Sequence, residues 1–405
     1  MYLSPITLDQ IRSAQSELAK LLDPTPLVRN EWLSDKYGRN IYLKLENMQP
    51  VGSFKIRGAA YRISRLTEEQ RARGVITASA GNHAQGVAWG ARKYGVKATI
   101  VMPRGAAIVK LQNTRALGAE VVLAGDTYDE AYEAAQDLGS QTGAVYVPAF
   151  EDADVIAGQG TIGLEIFESL PEVDSVIASI GGGGLVAGVG SALKALKPSV
   201  QIHACQAAGA PSMVRALREG QSVRLEMADT FADGIAVKYA RESMRSLLAP
   251  LVDGLYEVDD ESTAAALLTL MERAKIVSEG AAAISLAALD QIPKERLGKN
   301  VVVLVCGGNI DVNVLGRVIE RGLIRSGRRL RVNVWVEDRP GALARITLLL
   351  AELGVNIIQA IHDRSEPSTT LSRTEIEFTL ETKGTEHSAE VIERLRGTVV
   401  GLEVR

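Results

Sequence analysis

The chain has 405 residues, of which 46% are hydrophobic and 23% are charged, a balance typical of a globular protein with a large buried core. Its 45 basic and 49 acidic side chains give no excess of positive charge for binding nucleic acid or an anionic membrane. Two cysteines, no metal-type cysteine or histidine spacing and no secretory leader in the opening segment MYLSPITLDQ predict a cytoplasmic protein without a metal site.

From about residue 25 to residue 325, short β-branched runs alternate with alanine-rich segments. The clearest predicted strands are VITAS, ATIVM, EVVLA, AVYVPA, SVIASI, VQIHAC and VVVLVC. Several are apolar throughout, as expected for parallel strands that are buried on both faces. The intervening segments, such as AQGVAWGARKYG and VAGVGSALKALK, repeat apolar residues at helical spacing. This alternation predicts an α/β protein with doubly wound sheets.

One segment resembles a membrane span. Residues 175–193, SVIASIGGGGLVAGVGSAL, carry no charge and approach the length that crosses a bilayer. The segment also contains six glycines, has flanks typical of a water-soluble chain, and begins with the pattern of a strand. We therefore expect a strand and a glycine turn here, with no membrane association.

Residues 330–405 have a different pattern, which reads strand, helix, strand, strand, helix, strand. LRVNVWVED and RTEIEFTLET alternate, the latter with Ile376, Phe378 and Leu380 on one face, whereas ALARITLLLAELG is amphipathic. This order predicts a small ferredoxin-like α+β module. A short basic linker at residues 326–329 is expected to separate the module from the preceding domain.

Three glycine-rich turns lie between a predicted strand and a predicted helix. They are SAGNHAQG at residues 79–86, SIGGGGLVAG at residues 179–188 and CGGNID at residues 306–311. In α/β sheets, ligands bind beyond the carboxyl ends of the strands, where the first N–H groups of the following helices are free. The N–H groups of Gly181–Gly184 can reach a phosphate without obstruction by side chains.

The four-glycine turn has other interpretations. It could be a flexible loop without a ligand, but it is not a P-loop, because no Gly-Lys-Ser/Thr follows it. Gly182, Gly184 and Ala187 fit the G-x-G-x-x-A pattern of a dinucleotide site. That site needs an acidic residue at the end of the next strand, where this chain has Gln206, so the nicotinamide interpretation is weak.

Lys55 lies at the start of a predicted helix, between Phe54 and Ile56. Ser53 is a plausible N-cap, which would place Lys55 in the first helical turn, near the positive end of the helix dipole. This position and burial between apolar neighbours should lower its pKa and favour the neutral amine. A neutral buried amine can form an imine with an aldehyde. The alternative is a lysine whose ammonium group extends to water.

Six motifs follow one another in the order SFKIRG, SAGNHAQG, GGGGL, ADGIAV, EGAAA and CGGN. In this order they resemble the fold-type II pyridoxal-phosphate enzymes, and more closely the threonine ammonia-lyases (threonine dehydratases). The terminal module, with DRPGAL, resembles a single ACT domain. The resemblance implies a catalytic domain at residues 1–325 with two open-sheet parts like those of the tryptophan synthase β subunit. The smaller part, at about residues 48–150, would be inserted in the larger one.

By this resemblance, Lys55 binds pyridoxal phosphate through an imine and then acts as the base at the substrate Cα. The glycine turn and the Leu185 N–H group would bind the cofactor phosphate, and Asn82 would donate to the phenolic oxygen of the ring. Cys306 would face the pyridine nitrogen, where a thiol pairs with the neutral form and favours elimination over transamination. The implied cofactor-binding residues are Phe54, Lys55, Asn82, Gly181, Gly182, Gly183, Gly184, Leu185, Gly234, Glu279 and Cys306.

The resemblance places the substrate carboxylate at a helix N-terminus, which is an ordinary anion site. The implied substrate-binding residues are Ser79, Ala80, Gly81, Asn82 and His83. Racemases of this fold carry a second acid/base serine at the position of Ala80, so racemisation is not expected as the main activity. Relatives with a bound cation carry an acidic residue around ACQAAGAPSM, where this chain has Gln206, so a similar metal dependence is not expected. His83 and Cys306 could instead be structural core residues.

The function that the resemblance implies is the conversion of L-threonine to 2-oxobutanoate and ammonia, and of L-serine to pyruvate, as in isoleucine biosynthesis. One alternative is an ammonia-lyase for another β-hydroxy amino acid, such as 3-hydroxyaspartate. Others are a serine racemase-like enzyme and a non-catalytic amino-acid sensor. The intact Lys55, Asn82 and glycine turn argue against the sensor.

In the terminal module, EDRPGAL places Asp338, Arg339, Pro340 and Gly341 between a strand and an amphipathic helix. Pro340 suits the first helical position, and Gly341 allows close approach to the backbone. The helix N-terminus could therefore receive the carboxylate of a branched-chain amino-acid effector. The alternative is a dimerisation module without a ligand. A homo-oligomer, either a dimer or a tetramer, is expected because exposed sheet edges tend to pair.

Overall fold

The computed structural model describes residues 3–363 and 372–405. The chain forms two compact units, the first ending at Ile310 and the second comprising Asp311–Arg405. The linker predicted at residues 326–329 falls inside the second unit.

The first unit is an α/β structure with short crossover connections. Its helices are α1 Leu8–Leu18, α2 Glu31–Tyr37, α3 Lys55–Ser64, α4 Glu68–Arg73, α5 Asn82–Lys93, α6 Ile108–Ala116, α7 Tyr128–Thr142, α8 Ala153–Ser169, α9 Gly184–Leu196, α10 Ser212–Glu219, α11 Glu242–Leu248, α12 Asp260–Thr269, α13 Gly280–Ala287 and α14 Lys294–Leu297. Its strands are β1 Leu27–Arg29, β2 Asn40–Leu45, β3 Val75–Ala78, β4 Ala98–Met102, β5 Glu120–Leu123, β6 Val145–Tyr146, β7 Ser175–Ser179, β8 Gln201–Ala207, β9 Val223–Arg224, β10 Tyr239–Ala240, β11 Gly254–Val258 and β12 Asn300–Val305.

Two open sheets organise this unit. The larger has the order β1-β2-β12-β7-β8-β11 and is parallel except for the β1–β2 pair, and the smaller, β5-β4-β3-β6, is parallel throughout. Every residue of β3, β7 and β12 is buried, which agrees with their mostly apolar sequences. The predicted α/β class with doubly wound sheets is therefore confirmed.

Helix α3, which begins with Lys55, is anchored by a cluster of buried charges. The Arg57 guanidinium donates from Nε to Glu46 Oε2 at 2.8 Å and from Nη1 to Glu165 Oε1 at 2.5 Å. Lys44 Nζ also donates to Glu165, at 2.5 Å. Burial opposes ionisation of Glu46, but the adjacent Arg57 keeps the pKa of its carboxyl below the ordinary value. The cluster therefore ties α3 to β2, to the turn that follows β2 and to α8.

The second unit contains α15 Val312–Arg325, β13 Arg329–Glu337, α16 Ala342–Glu352, β14 Asn356–Asp363, β15 Arg373–Glu381, α17 Thr385–Arg396 and β16 Gly401–Val404. Its antiparallel sheet has the order β14-β15-β13-β16. Ile376, Phe378 and Leu380 face the core of the unit, as predicted. The sequence therefore predicted the ferredoxin-like order of elements correctly.

Helix α16 begins two residues later than the proline pattern predicted. Its first residue is Ala342, and Gly341 occupies the N-cap position in the left-handed region, with φ +88°. Pro340 is therefore not the first helical residue. The cap needs a positive φ, which glycine adopts without strain and proline cannot adopt.

The segment that resembled a membrane span forms β7, a glycine turn and α9. Across residues 3–363 and 372–405, we find no helix with the length and apolar character that crossing a membrane requires.

Candidate active site

The SFKIRG and EGAAA motifs are each joined to the CGGN motif by a backbone hydrogen bond. The Phe54 N–H group donates to the Cys306 carbonyl at 3.0 Å, and the Glu279 N–H group donates to the Gly307 carbonyl at 3.1 Å. These bonds bring together the segment before α3, the turn after β12 and the segment before α13. Both bonds lie at the carboxyl end of β12, where ligands of open α/β sheets bind.

Lys55 is the first residue of α3, and its Nζ donates to the Ala149 carbonyl at 2.9 Å. The prediction that Ser53 caps this helix is wrong. Phe54 occupies the N-cap position with helical backbone angles, and Ser53 is instead bridged to Gly307. The buried Ser53 hydroxyl has no hydrogen-bond partner in the described part of the chain. Tertiary pairing of this segment therefore decides where α3 begins.

Burial lowers the pKa of Lys55 to about 8, and the nearby Cys306 and Glu279 only partly oppose this shift. The sequence also predicted a lowered pKa for Lys55, and the main cause of the shift is desolvation of the ammonium group. At a pH of about 8, half of the Lys55 amines are neutral. The residue can therefore act as a nucleophile or a base near neutral pH.

Asn82, the first residue of α5, is fixed between two side chains. Its Nδ2 donates to both carboxylate oxygens of Glu279, at 2.8 and 2.9 Å, and its Oδ1 accepts from Asn309 Nδ2 at 2.7 Å. Burial raises the pKa of Glu279 to about 7, although the hydrogen bond from Asn82 opposes the shift. Asn309 belongs to the CGGN motif, but no local sequence pattern predicts its contact with Asn82, which spans 227 positions.

The four-glycine turn has the conformation that an anion site needs. Gly183 has φ +97°, and a side chain at Gly182 would overlap the ring of Phe150. Among the described residues, the N–H groups of residues 181–185 donate to no acceptor. The first N–H group of α9 that donates is that of Ala187, which bonds to the Gly183 carbonyl at 2.9 Å. Free N–H groups at the start of α9 fit a phosphate.

The N–H groups of residues 82–84, at the start of α5, likewise donate to no acceptor among the described residues. The Ser79 Oγ accepts from the Gly81 N–H group at 3.2 Å, and Ala80 follows Ser79 without a polar side chain. The His83 imidazole is buried, with Nε2 at 2.9 Å from the Val147 carbonyl, and burial lowers its pKa to about 3. A neutral ring fixed in this way leaves the backbone of His83, rather than its side chain, to bind an anion.

Cys306 follows β12 directly and is buried. Its Sγ lies 3.4 Å from Ser179 Oγ and donates to the Ala281 carbonyl at 3.5 Å. Burial raises the pKa of the thiol to about 12, so Cys306 is a neutral donor rather than a thiolate. Gly234 lies beside Glu279, and a side chain there would crowd Ala281.

Gln206 has a structural role. Its Oε1 accepts from the N–H groups of Met213 and Val214, both at 3.0 Å, and so caps the N-terminus of α10. An amide oxygen satisfies both N–H groups without a negative charge.

These groups fit pyridoxal phosphate. A neutral lysine amine can bind its aldehyde, the free N–H groups of residues 181–185 can bind its phosphate, and the neutral Cys306 thiol can face its ring nitrogen. In agreement with this fit, residues 18–307 match the profile of the family described as pyridoxal-phosphate dependent enzyme. The chain belongs to this family. Residues 330–398 match the profile of the ACT domain.

Three similar proteins support the membership of this pyridoxal-phosphate family. The L-threonine ammonia-lyase of Thermotoga maritima is 47% identical over 401 residues, which cover 99% of each chain. The solved structure of processed threonine deaminase isoform 2 from Solanum lycopersicum is 38% identical, covers 79% of this chain and 91% of its own, and has a TM-score of 0.73. Maize serine racemase is 32% identical, covers 80% of this chain and 99% of its own, and has a TM-score of 0.75.

Proposed function

We propose that this chain is a pyridoxal-phosphate-dependent ammonia-lyase that converts L-threonine to 2-oxobutanoate and ammonia, and also deaminates L-serine to pyruvate. The observation that carries the proposal is the Lys55 amine, which is held near Cys306 and Glu279 with its pKa lowered to about 8. The similarity to the T. maritima L-threonine ammonia-lyase extends over both domains and supports threonine as the substrate.

Each group in the site has a task in this reaction. Bound pyridoxal phosphate supplies an aldehyde for the amine and a ring that accepts electrons from the substrate. Lys55 would hold the cofactor and, as a neutral amine, would take the proton from the substrate Cα. The N–H groups of residues 82–84 orient the substrate carboxylate, while Glu279 and Asn309 keep the Asn82 amide in one orientation. Orientation of the substrate in this way lowers the entropic part of the barrier.

The substrate assignment is tested by measuring 2-oxo acid formation from L-threonine, L-serine and 3-hydroxyaspartate with the purified holoenzyme. We expect both L-threonine and L-serine to be deaminated, with 3-hydroxyaspartate a poorer substrate than either. A clear preference for 3-hydroxyaspartate would favour the rival lyase, and no product from any of the three would favour an amino-acid sensor.

Ala80 should prevent racemisation. With no acid/base side chain at this position, D-serine should form from L-serine at less than about a hundredth of the rate of deamination, since a general acid or base contributes roughly 10² to 10⁴ in rate. Chiral chromatography of the reaction mixture measures both products. The Ala80→Ser variant is the matched comparison and should gain racemisation. Comparable racemisation and deamination in the unaltered enzyme would instead support a serine racemase-like function.

Cys306 should tolerate replacement by a neutral donor but not by a carboxylate. We expect Cys306→Ser to keep kcat within about tenfold. Cys306→Asp should lower kcat by about 10- to 100-fold, because its carboxylate would bind the ring nitrogen strongly in the protonated form, whereas the neutral form favours elimination. Steady-state kinetics with L-threonine measure both effects. Equal activity of the two variants would show that the partner of the ring nitrogen lies elsewhere.

The ACT domain is proposed to bind a branched-chain amino acid at Asp338, Arg339, Pro340 and Gly341. The start of α16 supports this, because among the described residues the N–H groups of residues 343 and 344 donate to no acceptor. The Ala342 N–H group donates to the Arg339 carbonyl at 3.2 Å, and the Arg345 N–H group donates to the Gly341 carbonyl at 3.1 Å. We also propose assembly into a dimer or tetramer. Strand β14 supports it as an edge strand with exposed Ile358 and Ile361. The cytoplasmic location expected from the sequence stays a prediction.

Regulation is tested by titrating L-isoleucine and L-valine against the full-length enzyme and a chain that ends at Ile310, where the first unit ends. One of the two should shift the threonine saturation of the full-length enzyme by about 5- to 150-fold, which corresponds to a coupling of about 1–3 kcal/mol. The shortened chain should not respond. An unchanged saturation curve for the full-length enzyme would leave the domain with an assembly role only.

A further inference from the structure

Ser179 is a buried hydroxyl beside the site to which neither the sequence nor the similarity assigns a role. It is the last residue of β7 and is 3% exposed, and it lies next to Cys306 at the carboxyl edge of the parallel β7–β12 pair. Within residues 3–363 and 372–405, its Oγ has one hydrogen-bond partner, the Cys306 Sγ at 3.4 Å. Its chain neighbours Ala178 and Ile180 are buried and apolar, so their side chains offer this hydroxyl no hydrogen-bond partner.

The Ser179 hydroxyl and the Cys306 thiol have one proton each. The thiol has one proton and faces two acceptors, the Ala281 carbonyl at 3.5 Å and Ser179 Oγ at 3.4 Å. The hydroxyl has one proton, for which sulfur is a weak acceptor. A buried hydroxyl that donates to sulfur leaves the thiol proton free to point away from Ser179. That proton can then go either to Ala281 or to a ligand atom at the end of the strands.

We propose that Ser179 is a positioning residue: its hydroxyl donates to Cys306 Sγ and directs the thiol proton to the ring nitrogen of the cofactor. The inference rests on the proposed function, because it requires a pyridine nitrogen at Cys306. The chain of hydrogen bonds then runs from Ser179 Oγ–H to Sγ–H to the nitrogen. Hydrogen bonds in such a chain polarise one another, so the hydroxyl makes a weak thiol donor stronger. The interaction of Ser179 with Cys306 also opposes the rise in the pKa of the thiol.

The test is a double-mutant cycle with Ser179→Ala, Cys306→Ala and the double variant, all prepared as full-length holoenzymes. The measured quantities are the dissociation constant of pyridoxal phosphate and the visible absorption spectrum of the resting enzyme. We expect Ser179→Ala to weaken cofactor binding by about threefold to tenfold, the effect of one lost hydrogen bond, and to change the spectrum. In the Cys306→Ala background, the same change should weaken binding by less than about twofold, since non-additivity marks residues that act together.

The proposal would be overturned if Ser179→Ala weakened cofactor binding equally in the unaltered protein and in Cys306→Ala. It would also be overturned if Ser179→Ala changed neither the dissociation constant of pyridoxal phosphate nor the visible spectrum. Ser179→Thr, which keeps the hydroxyl, provides a second variant and should retain the spectrum of the unaltered enzyme. A spectrum of Ser179→Thr that matches Ser179→Ala would also contradict the proposal. Failure of the proposed function itself would be visible separately, because the unaltered protein would then not bind pyridoxal phosphate or deaminate L-threonine.

Discussion

Replacing Lys55 with alanine is expected to abolish deamination of L-threonine, with kcat falling by at least about 10³-fold. The variant lacks both the group that holds the cofactor and the base at Cα, and general bases alone contribute roughly 10² to 10⁴ in rate. The visible absorption of the resting enzyme that depends on this covalent link should also disappear. Steady-state kinetics and an absorption spectrum of the purified variant measure the two losses.

The fold of the Lys55→Ala variant should survive, because Lys55 Nζ makes one hydrogen bond within the described part of the chain, to the Ala149 carbonyl, and α3 is held by other contacts. A circular dichroism spectrum and a thermal unfolding curve provide this control. Lys20→Ala is the matched surface variant, since Lys20 is exposed and pairs with Glu17, three residues earlier, and it should keep full activity. Appreciable deamination by folded Lys55→Ala would remove Lys55 from its proposed role.

Replacing Arg57 with alanine is expected to lower the free energy of unfolding by about 3–5 kcal/mol. This is the usual cost of leaving a buried charge without its partner. The side chains of Arg57 and Glu46 are 2% and 1% exposed, and Glu165 is 8% exposed. With Arg57 removed, two buried carboxylates would share only the Lys44 ammonium. Urea denaturation of the full-length protein measures the loss as a lower midpoint.

Arg104→Ala is the control for the Arg57 experiment. Arg104 forms an ion pair with Asp126 at 3.4 Å, but the two side chains are 64% and 78% exposed. Exposed pairs contribute about 0–1 kcal/mol, so this variant should unfold close to the urea midpoint of the unaltered protein. A similar small change for Arg57→Ala would mean that the buried cluster does not stabilise α3.

The sequence predicted the sheets because their physical signal is local. The inner positions of strands such as β7 and β12 are all apolar, and burial on both faces explains that pattern in an α/β chain. The glycine turns were also found, because Gly183 needs a positive φ that few other residues adopt. The positions of Lys55 and Asn82 at helix starts followed from the same alternation of strand, turn and helix.

The parts that the sequence did not predict depend on contacts between distant segments. Arg57 meets Glu165 across 108 positions, and Ser179 meets Cys306 across 127, so no local pattern marks either pair. Ser53 has the composition of a helix cap, but its pairing with Gly307 overrides that preference. Pro340 suits a helix start, but the turn needed a positive φ one residue later, at Gly341.

The central claim is that this protein uses pyridoxal phosphate to deaminate L-threonine. The most direct test is to incubate the purified full-length protein with pyridoxal phosphate and L-threonine, and to measure 2-oxobutanoate and ammonia together. If the claim holds, 2-oxobutanoate and ammonia form in equal amounts and both require the cofactor. Binding of pyridoxal phosphate without production of 2-oxobutanoate would contradict it.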